Sequence, residues 1–364
     1  MAIDNASAVG VKAVHASLQV GGPATQHLNT QNFLSQAKAM GAPVDFVSSH
    51  NYPTGPRGDG SGCPQHDDWQ PDCFRDRVMS AVGKIPATIP FALTEYSVMV
   101  GHGMAANTGE DLPQRSGEPP YQHDDAGAAA FVFRVVPELA PHLEVMSYWS
   151  FSDIFEEDSI PDNEFRKMPY GDAGDSQPHY GAMSLHGVPK PVWRAFQLLH
   201  AHAGTHLINT TAVTHGTSTP LPTLISAHTT VNATTTASGS DHEVLAVERG
   251  SGRLFLSHWD ATGAATNHST VAVTISLHCG ATKNCAAAAG SSSELWMIDG
   301  STEAKTLWLS MGQPAVPSAS QLLALKAHSQ LKPAELSWSQ QGGSSGVWTA
   351  VVSMPPNSAC VVTL

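Results

Sequence analysis

From Ser17 to His202, short apolar or β-branched runs alternate with longer segments whose apolar residues recur every three or four positions. The short runs predict strands and the longer ones predict helices. Val9 to His15 reads as the tail of a helix. Ser17 to Thr25 predicts a strand, stopped by Gly21-Gly22-Pro23. Gln31 to Met40 predicts a helix with Phe33, Leu34, Ala37 and Met40 on one face. Val44 to His50 predicts a second strand, running into Asn51-Tyr52-Pro53. A helix is expected from Phe74 to Gly83, then a buried strand over Pro90–Thr94 with Glu95 at its end. An Ala-rich helix over Asp124–Leu139, a strand over Leu143–Ser150 and a helix over Pro191–His202, opened by Pro191, complete the series. Four strand–helix units in succession, with the long loops following strands, argue for a parallel sheet. His50, Glu95 and Trp149 then fall together at the carboxyl ends of the strands, where α/β enzymes keep their reactive groups.

After Gly204 the pattern changes. Glu243–Val247, Arg253–Trp259, Ser269–Leu277 and Gly346–Val352 alternate or are β-branched, and Ser/Thr/Gly stretches separate them. This predicts an all-β sandwich, interrupted by one amphipathic helix over Ser318–Ala327. Thr210 to Ser240 reads as a loose insertion or linker, and no internal repeat is visible. A chain of 364 residues exceeds the size at which one core usually divides. The change of texture puts the expected boundary between residues 1–203 and 204–364.

Charge narrows the partners. The net charge of −13 argues against nucleic acid, whose phosphates need a basic surface, and supplies no basic patch for an anionic membrane. No apolar run approaches the ~20 residues of a membrane span. Met1-Ala-Ile-Asp-Asn5 lacks the basic and then apolar regions of a leader, so a secreted or lysosomal destination would require a leader upstream. Asn5, Asn209, Asn232 and Asn267 each begin an N-x-Ser/Thr sequon, a weak tilt toward secretion.

The five cysteines divide into Cys63 with Cys73 in one loop, Cys279 with Cys285 in another, and Cys360. Two local disulfides and five free thiols are both consistent with this spacing. The loop Gly55–Phe74 also carries His66, Asp67 and Asp68, but at no recognised ligand spacing. A disulfide-pinned substrate loop is the preferred reading, with no metal and no cofactor expected.

Glu95 is the leading candidate for chemistry, because a carboxylate at the end of a buried strand is costly to desolvate. A salt-bridged strand-end acid is the plain alternative. His50 reads either as a pocket residue or as a structural histidine tied to a neighbouring loop. Tyr52, Tyr96, Trp149 and Phe151 offer flat faces on which a ligand ring could stack, although aromatics in strands more often belong to the core. Glu156 and Glu157 follow the last strand of the series as hydrogen-bonding groups for a ligand or as solvated loop charges.

Taken in order, several segments resemble glycoside hydrolase family 39, best known for β-xylosidases and α-L-iduronidases. They are Leu18-Gln-Val-Gly-Gly-Pro-Ala24, Pro43-Val-Asp-Phe-Val-Ser-Ser-His50, Leu93-Thr-Glu-Tyr96, Ser147-Tyr-Trp-Ser-Phe-Ser-Asp-Ile-Phe-Glu-Glu157 and Lys190-Pro191. Met311-Gly-Gln-Pro314, with Pro317-Ser318, looks like the family's C-terminal region. The run from Ser147 to Glu157 is closer to the xylosidase branch. The resemblance implies a (β/α)8 TIM barrel with an accessory sandwich, and retaining hydrolysis of O-glycosyl bonds by two carboxylates about 5–5.5 Å apart. Glu95 matches the nucleophile at the end of strand seven, so the strands here count as five to eight.

The family's acid/base glutamate lies in an Asn-Glu-Pro motif ahead of the Val-Gly-Gly-Pro segment. This sequence contains no Asn-Glu-Pro. Ser97-Val-Met-Val100 also replaces a more polar segment typical of the xylosidases. The expected fold is therefore α/β, an incomplete barrel followed by an all-β sandwich. Open barrel edges would favour self-association or demand a complementary half. Two functions are compatible with these features: a β-xylosidase-like glycosidase of carbohydrate metabolism acting on an oligosaccharide or glycoside, and a non-catalytic carbohydrate-binding remnant.

Overall fold

A computed structural model describes residues 2–25, 28–53, 70–98, 123–153, 180–202, 212–215, 224–225, 229–234, 242–249, 253–260, 270–278, 293–341 and 347–363. The chain is a mixed α/β protein with a parallel sheet, and it divides into two compact units. One comprises Met1–Val100 and Val135–Ser150; the other comprises Gly101–Arg134 and Phe151–Leu364.

The first unit is built on four parallel strands in sequence order, β1 (Gly21–Thr25), β2 (Phe46–His50), β3 (Phe91–Tyr96) and β4 (Val145–Tyr148). Helices α1 (Ala2–Val14), α2 (Thr30–Met40), α3 (Pro71–Val82) and α4 (Ala126–Leu139) precede the strands in turn, and α5 (Pro191–His202) follows β4 in the chain. The apolar stripe expected of α2 is realised by buried Phe33 and Ala37. Gly41 ends α2 in the left-handed region, φ 65°, and its N–H returns to Ala37 and Lys38 carbonyls. α3 begins three residues before the predicted Phe74, because Pro71 pre-sets the first helical φ and Asp72 follows in the first turn. Central strands β2 and β3 are mostly buried, with Val47 and Leu93 fully so. The outer strands are not: β4 leaves Val145 46% exposed. Among the described residues no strand pairs with the outer edge of β1 or of β4.

Gly21-Gly22-Pro23 corrects one expectation. Instead of stopping the strand, this tripeptide is most of β1, and Ser17 to Val20 stand outside it. A Cβ on Gly21 would lie 2.2 Å from the Phe46 carbonyl oxygen and 2.6 Å from the Phe46 ring. Glycine is thus what lets β1 approach β2. Pro23 is tolerated on an edge strand, where a missing N–H costs least.

The second unit contains two antiparallel sheets. One has the order β13 (Ser339–Gln341), β14 (Val347–Met354), β10 (Val271–His278), β7 (Thr229–Thr234), β6 (Leu224–Ile225). The other runs β12 (Ala334–Glu335), β11 (Glu294–Ile298), β15 (Ser358–Thr363), β9 (Arg253–Asp260), β8 (His242–Arg249), β5 (Ala212–His215). Leu254, Leu256, Cys360 and Val362 from the second sheet join Val271, Val273, Ile275, Val352 and Met354 from the first in one core. Period-two alternation does this: along β14, Val352 and Met354 point inward while Val351 stays 58% exposed.

Among the described residues two helices interrupt the β-strands, α6 (Ala304–Ser310), which the hydrophobic pattern did not reveal, and α7 (Ala319–His328). Ser318 and Gln321 cap α7 reciprocally. Trp308 of α6 and Leu325 of α7 share a smaller core with Val188. Among the described residues no helix is long and apolar enough to cross a membrane.

Candidate active site

Parallel pairing of β2 with β3 sets the site. Ser49 faces Leu93, then the register shifts so that His50 faces Glu95 at the carboxyl ends of both strands. The chain past β2 is held there by Asn51 N–H donating to the Glu95 carbonyl, 3.1 Å. Ser49 Oγ donates to the Thr25 carbonyl, 2.6 Å, which ties in the end of β1.

Two groups converge on one oxygen of Glu95. His50 Nδ1 lies 2.5 Å from Oε2, and the Tyr52 hydroxyl donates to the same Oε2 at 2.7 Å. With a proton on Nδ1, His50 is the second donor. Oε1 carries neither bond. The carboxylate is therefore oriented but not sealed: its side chain keeps 24% exposure and that of His50 keeps 16%. An anion held by two donors on one oxygen, with the other oxygen bearing no bond among the described residues, is suited to act as a nucleophile or a base.

The other candidates separate. Tyr52 presents its hydroxyl to Glu95, and at 5% exposure it offers no open face for stacking. Tyr96 is corrected from sugar contact to core. It is fully buried, its ring lies against Phe74 and edge-on to Tyr148, and burial drives its hydroxyl pKa upward. Consecutive strand residues diverge, so Glu95 and Tyr96 serve different surroundings. Trp149 is half-buried, with its N–H on the Tyr96 carbonyl at 2.8 Å. Phe151 is 66% exposed and packs edge-on against Trp193 of α5.

Glu156, Glu157, Cys63, Cys279 and Cys285 lie outside the described residues. Cys73, in the first turn of α3, is buried and disulfide-bonded. Cys360 is a buried free thiol whose pKa burial raises.

Three polar groupings escaped the sequence reading. Arg77 of α3 donates through Nη2 to the Tyr52 carbonyl, 3.2 Å. In the second unit, Lys190 Nζ is fully buried between Asp124 Oδ1 at 2.5 Å and Asp153 Oδ1 at 2.8 Å. Burial opposes its charge, but the two carboxylates outweigh that and hold its pKa above the ordinary lysine value. Lys190-Pro191 had drawn notice only as a motif. Lastly, the N-terminus of α4 receives two carboxylates: Asp125 accepts from Gly127 N–H at 2.9 Å and Glu303 from Ala126 N–H at 2.7 Å. Burial, and then the charge of Glu303, push the Asp125 carboxyl up to about 7.

Residues 1–345 match the model of Glycosyl hydrolases family 39. A β-xylosidase of Caldicellulosiruptor saccharolyticus is 29% identical over 201 residues, 53% of this chain and 35% of that protein. One from Geobacillus stearothermophilus is 28% identical over 212 residues, 54% of this chain and 35% of that protein. The chain thus spans about a third of the length of these curated relatives. Among solved structures, a β-xylosidase from Caulobacter crescentus superposes with TM-score 0.55 at 21% identity, covering 100% of this chain and 60% of the other. A family 39 enzyme from Xanthomonas axonopodis pv. citri gives 0.59 at 19% identity, covering 99% and 63%. At such identities the likeness is one of fold.

Proposed function

The chain belongs to glycosyl hydrolase family 39, and from that premise we propose that it carries the nucleophile side of a retaining, β-xylosidase-like site. Glu95 is the nucleophile. Its Oε1 attacks the anomeric carbon of a glycoside while His50 and Tyr52 hold Oε2 and keep the carboxylate aimed. Half-buried Trp149 is a further substrate contact in this reading. The observation that carries it is the convergence of His50 and Tyr52 on a single oxygen of a strand-end carboxylate that stays open to solvent.

The same reading assigns architecture. Strands β1 to β4 are strands five to eight of a (β/α)8 barrel within a catalytic domain of residues 1–203. Residues 204–364 form an accessory β-sandwich. Sequential parallel order, exposed outer strands and a core shared by two antiparallel sheets favour it. Exposed edges of this kind also favour self-association. The general acid of a retaining pair has no counterpart in these 364 residues at the family's Asn-Glu-Pro motif. Leaving-group protonation contributes roughly 10²–10⁴ in rate, so negligible turnover of unactivated xylosides is expected from the 364-residue chain.

Nucleophilic attack can be tested without that acid. From a dinitrophenyl β-xyloside carrying fluorine beside the anomeric carbon, the aryl group departs as a stable phenolate. Glu95 Oε1 forms the bond to the anomeric carbon, the carbon–oxygen bond to the aryl group breaks, and its electron pair leaves with the phenolate. No proton is required. Mass spectrometry should find one fluoroxylosyl group on Glu95 and none on Glu95→Gln. A label elsewhere removes Glu95 from the role, and no label at all favours the non-catalytic, carbohydrate-binding alternative.

A further inference from the structure

Tyr52 is held at both ends. Its hydroxyl reaches Glu95 Oε2 at 2.7 Å, and its carbonyl accepts from Arg77 Nη2 at 3.2 Å. Tyr52 lies two residues beyond β2, past the last ladder pair His50–Glu95. Asn51 N–H on the Glu95 carbonyl holds the chain one residue earlier, but the ladder does not extend to Tyr52, so a shift of the Tyr52 backbone would carry its hydroxyl off the carboxylate.

Arg77 has the attributes of a positioning group. It sits on α3, one turn after disulfide-bonded Cys73, and its Nε and Nη1 are buried atoms. A guanidinium is a rigid, planar donor that loses little freedom on forming its bonds. Arg75, two residues earlier, faces elsewhere, toward Asp72, Asp76 and Glu138 at 2.9, 2.7 and 2.8 Å. Residues two apart on a helix do not share a face, so α3 uses its two arginines for different tasks.

We propose that Arg77 is a positioning residue for the nucleophile: by holding the Tyr52 carbonyl it keeps the Tyr52 hydroxyl on Glu95 Oε2 and so leaves Oε1 free to attack. The inference rests on the reading of Glu95 as nucleophile. It identifies a helix residue, outside every motif of the sequence, as part of the machinery that aims the carboxylate.

The fluoroxyloside reaction measures it. Rate constants for labelling and the reagent's dissociation constant are determined for the 364-residue wild-type chain, Tyr52→Phe, Arg77→Met, Arg77→Lys and the Tyr52→Phe/Arg77→Met double variant. Arg75→Met serves as the control for a lost arginine on the same helix, and thermal melts verify folding. Tyr52→Phe should slow labelling about tenfold or more, as expected for a hydrogen bond to a charged group. Arg77→Met should slow it roughly fivefold while leaving the dissociation constant nearly unchanged, because misalignment acts on the reacting geometry. Arg77→Lys should recover part of the loss.

The double variant should be no slower than Tyr52→Phe, since Arg77 acts through Tyr52. Additive losses, or an Arg77→Met effect no larger than that of Arg75→Met, overturn the proposal while leaving the nucleophile reading intact. A wild type that takes no label at Glu95 sinks the nucleophile reading instead. The Arg77–Tyr52 link is then judged by ¹⁵N NMR of His50, whose Nδ1 shares Oε2 with Tyr52. Arg77→Met must perturb that signal in the same direction as Tyr52→Phe, and an unchanged signal overturns the link.

Discussion

Each unit of the molecule holds a carboxylate cluster, and the two clusters are built to opposite ends. In the first unit, Glu95 meets His50 and Tyr52 at the rim of a parallel sheet and keeps a quarter of its side chain in water. In the second, Asp124 and Asp153 close on Lys190 with every one of these side chains below 10% exposure. Bond lengths do not tell them apart, since all fall between 2.5 and 2.8 Å. Access does. A buried ion cluster can hold segments together, whereas the Glu95 carboxylate keeps part of its side chain exposed to solvent.

The sheets around the clusters differ in the same sense. The second unit encloses a continuous core between two antiparallel sheets. The first buries only its central strands and leaves β4 exposed.

The largest effect expected from this contrast is at Lys190. Lys190→Met leaves Asp124 and Asp153 buried without their cation, and should cost about 3–5 kcal/mol in chemical denaturation. A loss below ~1 kcal/mol would mean that the cluster is hydrated and that the contrast with Glu95 is false. Next is Gly21→Ala. The added methyl meets the Phe46 backbone carbonyl at 2.2 Å, an atom that cannot swing aside, and should destabilise by ~1–3 kcal/mol.

The Asp125–Glu303 pairing predicts a pH dependence of the second unit. The folded-state carboxyl of Asp125 lies at about 7 against an ordinary 3.8, so the folded state binds its proton more tightly than the unfolded state. Its contribution to stability is complete below the ordinary value and is lost as pH rises through about 7. Denaturation midpoints across this range should fall with rising pH, and Asp125→Asn, which can still cap Gly127 N–H, should flatten the slope. The smallest effect is at the exposed edge. Val145→Ser should change stability by less than ~0.5 kcal/mol, and a larger loss would show that β4 is covered in solution.

Much of the first unit was legible along the chain. The strand ending at His50, a strand carrying Glu95 near its carboxyl end, and two helices expected from Gln31 and from Phe74, which in the structure begin at Thr30 and Pro71, follow from periods of two and 3.6 residues and from proline and glycine signals. These are properties of neighbours in sequence, so the sequence by itself determined them. Partnership is another matter. The Tyr52 hydroxyl finds Glu95 across 43 residues, Lys190 finds Asp153 across 37, and Glu303 finds the start of α4 across 177.

No local period records such separations. The role of each side chain depended on which strand end the chain folded back upon, so only the tertiary structure decided that Tyr52 serves the carboxylate and that Tyr96, one residue from Glu95, belongs to the core. The Gly21-Gly22-Pro23 segment shows the same limit. Read locally these residues are breakers, but at Gly21 a Cβ would meet Phe46 at 2.2 Å, and such a close approach between strands exists only once both strands are in place.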